Sequence, residues 1–108
     1  MRYFFGVIDN ATGTATPEEM HRIDNFNGRL VREDRLVIAG GLCDPTDAFL
    51  IDARSTGEHQ VGLHHDGSEY ISGFWILRCD QHDEAVALAR EASRACGRKI
   101  EVRPFLGG

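Results

Sequence analysis

Tyr70-Ile71-Ser72-Gly73-Phe74-Trp75-Ile76-Leu77-Arg78-Cys79 is the stretch from which the rest of the chain is best read. Aromatic and β-branched residues dominate it, which is strand chemistry. Apolar side chains fall on both alternating faces, so it is expected at the centre of a sheet. Directly after it Asp80 is placed to cap a helix, with Asp83 and Glu84 in the first turn favouring the helix dipole. Ala85, Leu88, Ala89, Ala92 and Cys96 line one face of that helix, and their small side chains allow close approach to a sheet. Gly97 suits the left-handed residue that ends a helix. Ile100 to Phe105 reads as a last strand.

Upstream, Asp66-Gly67-Ser68 is a turn. Ala48 to Ala53 and His59 to His65 form a hairpin around Ser55-Thr56-Gly57. Leu36 to Ala39 reads as a short buried strand, after which Gly40-Gly41 lets the chain turn or bulge. Before it lies a helix with a clear start: Thr16 at the cap, Pro17 at the first helical position, Glu19 three residues past the cap. Met20, Ile23, Phe26 and Leu30 recur at three and four residues and give one apolar stripe, to about Asp34. A polar loop, Asn10 to Ala15, separates this helix from a first strand over residues 2–9.

The order is thus β-α-β, a hairpin, β-α-β, within a single domain spanning residues 1–108. The fold class this predicts is α+β: a ferredoxin-like, split βαβ antiparallel sheet with both helices on one face. The other face is left bare and apolar, and the simplest cover is a second copy about a two-fold axis. A homodimer is therefore expected.

Charge narrows the partners. Seventeen acidic against twelve basic residues leave a net charge of −5, and Lys99 is the single lysine. A nucleic-acid binder needs a basic footprint to neutralise phosphates, and none is visible. Apolar stretches fall far short of the ~18 residues a membrane span needs, and the start of the chain lacks the pattern of a signal peptide. Cys43, Cys79 and Cys96 are an odd set at unrelated spacings, without CxxC, which suits free thiols in a reducing cytoplasm. Neither GxGxxG nor a Walker lysine accompanies Gly40-Gly41, and no cofactor is indicated.

Several pieces, in order, resemble the YCII-related family and in particular its DGPF branch: Pro17-Glu18-Glu19-Met20, Phe26 and Leu30; Leu36-Val37-Ile38-Ala39-Gly40 with Leu42; Asp66-Gly67; Gly73-Phe74-Trp75-Ile76-Leu77; and Glu101-Val102-Arg103-Pro104. The resemblance covers essentially the whole chain. It implies a dimeric α+β barrel with a pocket between sheet and helices, in a family whose activity is largely unassigned and of which a few members resemble lyases or dehalogenases acting on small cyclic acids. Two positions depart from the family. The helix-one histidine three residues before the Phe is Ile23 here, with His21 two residues earlier. The segment after Asp-Gly is short and does not begin Pro-Phe. Asp66 carries over by position; its histidine partner does not.

Three groups of residues are candidates for chemistry. His64-His65-Asp66 is the densest titratable cluster. Adjacent strand residues point to opposite faces, so one histidine at most can look into a pocket. If it is His65, then Asp66 can orient it or share a proton, which makes both candidate catalytic residues. The same residues also read as a polar strand end and a turn. His21 and Asp24, three apart on a helix, are neighbours that could contact a ligand, or simply a solvated face. Trp75 could stack on a ligand or fill the core. Five histidines at these spacings do not make a dedicated metal site. Two functions fit: cofactor-independent acid-base chemistry on a small organic acid, of lyase, isomerase or dehalogenase type, or a non-catalytic module that binds a ligand or a regulatory partner.

Overall fold

The computed structural model describes residues 1–54, 58–61 and 68–107, the short stretch 58–61 as backbone. Strand β1 (Arg2–Asp9) leads through a polar loop to helix α1 (Pro17–Arg32). Strand β2 (Leu36–Gly41) follows, then a single 3-10 turn (Pro45–Asp47) and a hairpin of β3 (Phe49–Asp52) and β4 (Glu58–Val61). Strand β5 (Tyr70–Arg78), helix α2 (His82–Cys96) and strand β6 (Lys99–Pro104) complete the chain.

The main sheet is antiparallel throughout, with order β2-β5-β1-β6. This is the α+β, ferredoxin-like arrangement. Helix α1 begins as its residues dictate: the Thr16 hydroxyl accepts the Glu19 N–H at 3.1 Å, and Pro17 has no N–H to leave unpaired. Gly97 closes α2 with φ of 66°, in the left-handed region.

Both helices cover one face of the sheet. Tyr3, Phe5 and Val7 from β1 and Trp75 and Leu77 from β5 meet Phe26 and Leu30 of α1 and Ala85, Leu88, Ala89 and Ala92 of α2 in one core. Phe5, Leu30 and Leu77 are wholly buried, and each contributes about 1.5–3 kcal/mol by leaving water. Bidentate pairing of Arg29 with Glu91, at 2.8 and 2.6 Å, ties the helices together above it.

Four local expectations need correction. The residue that caps α2 is Gln81, not Asp80; the Glu84 carboxylate reaches back to the N–H groups of both, at 3.1 Å each, so one carboxylate serves two donors. Helix α1 stops at Arg32, short of Asp34, whose φ of 56° ends the helical path. Strand β2 is not buried: it is an edge strand, with Val37 39% and Ile38 52% exposed. Gly40 and Gly41 do not turn the chain but continue β2 against Phe74 and Gly73, because Gly73 lets the two backbones come close. The central place of β5 is as expected. The hairpin forms too, Phe49 to Asp52 against Glu58 to Val61, but as a separate two-stranded sheet.

The open face of the main sheet carries Phe4 of β1 and Phe74 of β5, stacked at 6.2 Å between ring centroids. Ile76 and Ile38 pair beside them. Toward β6 the same face turns charged: Glu101 and Arg103 sit opposite Gly6 and Phe4, and Lys99 opposite Ile8.

Candidate functional site

Between α1 and the helix-side face of the sheet lies a cavity of about 410 Å³, within the range usual for small-molecule sites. Its walls are predominantly apolar: Val7, Ile23, Ala39, Leu42 and Trp75. The strands put them there by alternation, since Val7, Ala39 and Trp75 all occupy the helix-facing side of their strands.

Trp75 is only 4% exposed and is held by two contacts. Its Nε1–H donates to Asn27 Oδ1 at 2.6 Å, and Phe26 meets its ring edge-on at 5.5 Å and 87°. A hydrogen-bonded indole in an edge-to-face pair has one orientation available. Asn27 also lines the cavity, and with its Oδ1 taken by the indole its amide N–H groups remain as donors. Gly41 and Gly13 line the cavity as well, and no atom lies within 4 Å of where a Cβ would stand on either. The open volume is thus kept by the absence of side chains on two walls.

Arg98 closes the polar end. Its Nε–H donates to Asp9 Oδ2 at 2.7 Å, Nη1–H to Glu19 Oε2 at 2.7 Å, and Nη2–H to Thr14 Oγ1 at 2.6 Å. Asp9 Oδ1 accepts from the N–H groups of Asn10 and Ala11, at 2.8 and 3.2 Å. One guanidinium therefore fastens the end of β1, the loop that follows and the start of α1. A second tie, between the Thr12 and Tyr70 hydroxyls at 2.6 Å, fixes the loop to β5.

Electrostatics decide what these groups can do. Burial pushes the Asp9 carboxyl up, but the Ala11 and Asn10 amides and Arg98 outweigh it and hold Asp9 below its ordinary value. The Arg98 hydrogen bond likewise lowers Glu19. Both stay ionised at neutral pH, each with its oxygens occupied, which suits a structural anchor and not a general base. Burial raises the Cys96 thiol, which also lines the cavity, so it is no ready nucleophile. The charged side chains that line this end, Asp9 and Arg98, pair with each other, and Glu19 holds Arg98 from outside the lining.

Of the residues singled out in the sequence, Trp75 lines the cavity. His21 and Asp24 stand on the exposed side of α1, outside the cavity wall, and no hydrogen bond joins them. Ile23, at the position where the resembling family carries its histidine, does face the cavity. His65 and Asp66 lie outside the described residues. Among the described residues, no three His, Cys, Asp or Glu side chains gather as a metal ion would need. The sequence singles out none of Asp9, Asn27 and Arg98, and it reads Gly41 as a turn, not as part of a cavity wall. Gly97-Arg98 after a helix was legible as a terminus, but nothing in the sequence joins Arg98 to partners at 9, 14 and 19.

No family model matches the chain, and no curated protein matches it. Among solved structures the fold is similar to 5-chloro-2-hydroxyhydroquinone dehydrochlorinase from Burkholderia phenoliruptrix, in complex with 2,5-dihydroxybenzoquinone. The identity is 16% and the TM-score 0.46, over 100% of this chain and 96% of that one.

Proposed function

We propose that this protein binds a compact, ring-sized organic molecule in the cavity between α1 and the sheet, and that it works as a homodimer. One observation carries the binding reading. The cavity is bounded by a tryptophan fixed in orientation, while two glycines on its walls leave the volume open. A core with no ligand to admit fills such volume with side chains. Arg98 is engaged by Asp9, Glu19 and Thr14 and so is not free to pair with a carboxylate, which favours an uncharged, hydrogen-bonding ligand. Three free thiols support a cytoplasmic setting, and no described helix is long and apolar enough to cross a membrane.

The test uses Trp75 as its own reporter. Phenol and benzoate, matched in ring size but uncharged and anionic respectively at neutral pH, are titrated while indole fluorescence and amide chemical shifts are followed. The expected result is a saturable response to phenol at residues lining the cavity, and a weaker one to benzoate. Gly41→Phe should abolish it while leaving the fold intact, since the new ring enters empty space. An unchanged response in Gly41→Phe would move the site elsewhere.

The catalytic form of this reading assigns proton transfer on a small organic acid, one whose acidic group is a hydroxyl uncharged at neutral pH, without a cofactor, to His65 and Asp66. It is supported by chain direction: their segment leads into β5 shortly before Ser72 and Gly73, both on the cavity wall. Asp66→Asn keeps the turn chemistry and removes the charge. Turnover lower by about 10²-fold or more, with folding intact, is expected of a lost general base. An Asn variant with full activity leaves binding as the function.

A further inference from the structure

We infer that the β3–β4 hairpin is an arm that docks on a second copy of this chain, across the apolar half of that copy's open sheet face. The inference rests on the homodimer proposed above and adds which element makes the contact.

Among the described residues, β3 and β4 form a two-stranded sheet of their own, apart from the four-stranded one. Its first strand exposes large apolar side chains in succession: Phe49 by 63%, Leu50 by 40%, Ile51 by 61%. Successive strand residues point to opposite faces, so Phe49 and Ile51 share one face of β3, and Phe49 pairs with Val61. A two-stranded hairpin is marginal in water without a surface to pack on. Such a surface exists in the same chain: the open sheet face with Phe4, Phe74, Ile76 and Ile38, the last 52% exposed. Charge divides that face. Lys99, Glu101 and Arg103 occupy its β6 side, so an apolar arm belongs on the β2–β5 side. The chain also leaves the sheet for its own arm from the end of β2.

Area points to a second copy as the occupant. A compact monomer of 12.0 kDa exposes about 6,000 Å². This chain exposes 7282 Å², an excess of about 1,300 Å² over that figure. A standard stable interface takes about 800 Å² from each partner, which the excess covers. The radius of gyration agrees, at 15.6 Å against about 13 Å for a compact domain of this length. A two-fold axis lets each arm lie on the other copy's sheet, so that one contact made twice covers both surfaces.

The experiment compares the wild type, Ile51→Asp and Ile76→Asp by sedimentation and light scattering over a dilution series, with circular dichroism as the check on folding. Amide hydrogen exchange of residues 49–52 is followed in the wild type at high and low concentration. The expected result is a wild-type dimer, at least about tenfold weaker in Ile51→Asp with an unchanged spectrum. Exchange at 49–52 should be slow in the dimer and speed up on dilution. If Ile51→Asp dimerises as tightly as the wild type, or exchange at 49–52 ignores concentration, the arm is not the contact. Weakening in Ile76→Asp alone would then leave the dimer standing through the sheet face. A wild type that is monomeric at every concentration overturns the dimer and the arm together.

Discussion

Arg98 has more work than any other single residue in the structure. Its fork holds Asp9, Glu19 and Thr14, which belong to three separate parts of the chain, in one position at the polar end of the cavity. Removing it leaves two largely buried carboxylates without their cation, which costs more than the pairing itself contributed. Arg98→Met should therefore lower the thermal midpoint by about 10 °C at neutral pH. The deficit relative to wild type should shrink as pH falls through the ordinary carboxylate range of about 4, because protonation removes the stranded charges. A deficit that stays constant from neutral to acid pH would show that Arg98 acts through packing alone. Arg98→Lys should recover little, since an ammonium cannot span three acceptors in a plane.

Among the elements, strands β2 and β5 owe their closeness to one glycine. A Cβ on Gly73 would stand 3.0 Å from the carbonyl oxygen of Gly40, a backbone atom that cannot swing aside. Gly73→Ala should cost about 1–3 kcal/mol in chemical denaturation and loosen the β2 edge first. Gly41→Ala, at the residue that pairs with Gly73 but facing open volume, should stay within about 0.5 kcal/mol of wild type. Equal costs for the two would mean that the strand pairing is softer than its geometry. The end of α2 is a different case. Gly97 holds a φ of 66°, and a Cβ there would approach the Glu19 carboxylate at 3.4 Å. Gly97→Ala should cost about 1–2 kcal/mol for the left-handed backbone.

For the whole molecule, the pH dependence of stability follows from its carboxylates. Asp9, Glu19, Glu84 and Glu91 are all held below their ordinary values in the folded state, each with an arginine among the causes. A depressed folded pKa gives stability that is present above the unfolded value and lost as pH falls through the folded one. The thermal midpoint should be flat from about pH 8 to 6 and fall steeply below about pH 4. A midpoint that rises on acidification to that range would contradict these pairings. Association belongs to this scale too. The scattering mass at micromolar concentration should be twice 12.0 kDa, and a monomer at that concentration would leave the apolar face of the sheet without its proposed cover.

Local rules account for what the sequence determined by itself. The start of α1 at Thr16-Pro17, the left-handed close of α2 at Gly97 and the central strand through Phe74 and Trp75 were all legible, because each depends on neighbours along the chain. So was the order of elements, and with it the ferredoxin-like sheet. The tertiary structure alone decided three other things. It made β2 an exposed edge, since strand order is a property of pairing between distant segments. It set the hairpin apart from the sheet, which no alternation of apolar residues could reveal. And it brought Asp9, Asn27, Trp75 and Arg98 around one cavity, with Glu19 holding Arg98 from behind. Their separations in sequence are large, and their contacts arise only when β1, β5 and the two helix termini converge. Periodicity reports which face of an element is apolar; it carries no record of which residues from different elements that face will meet.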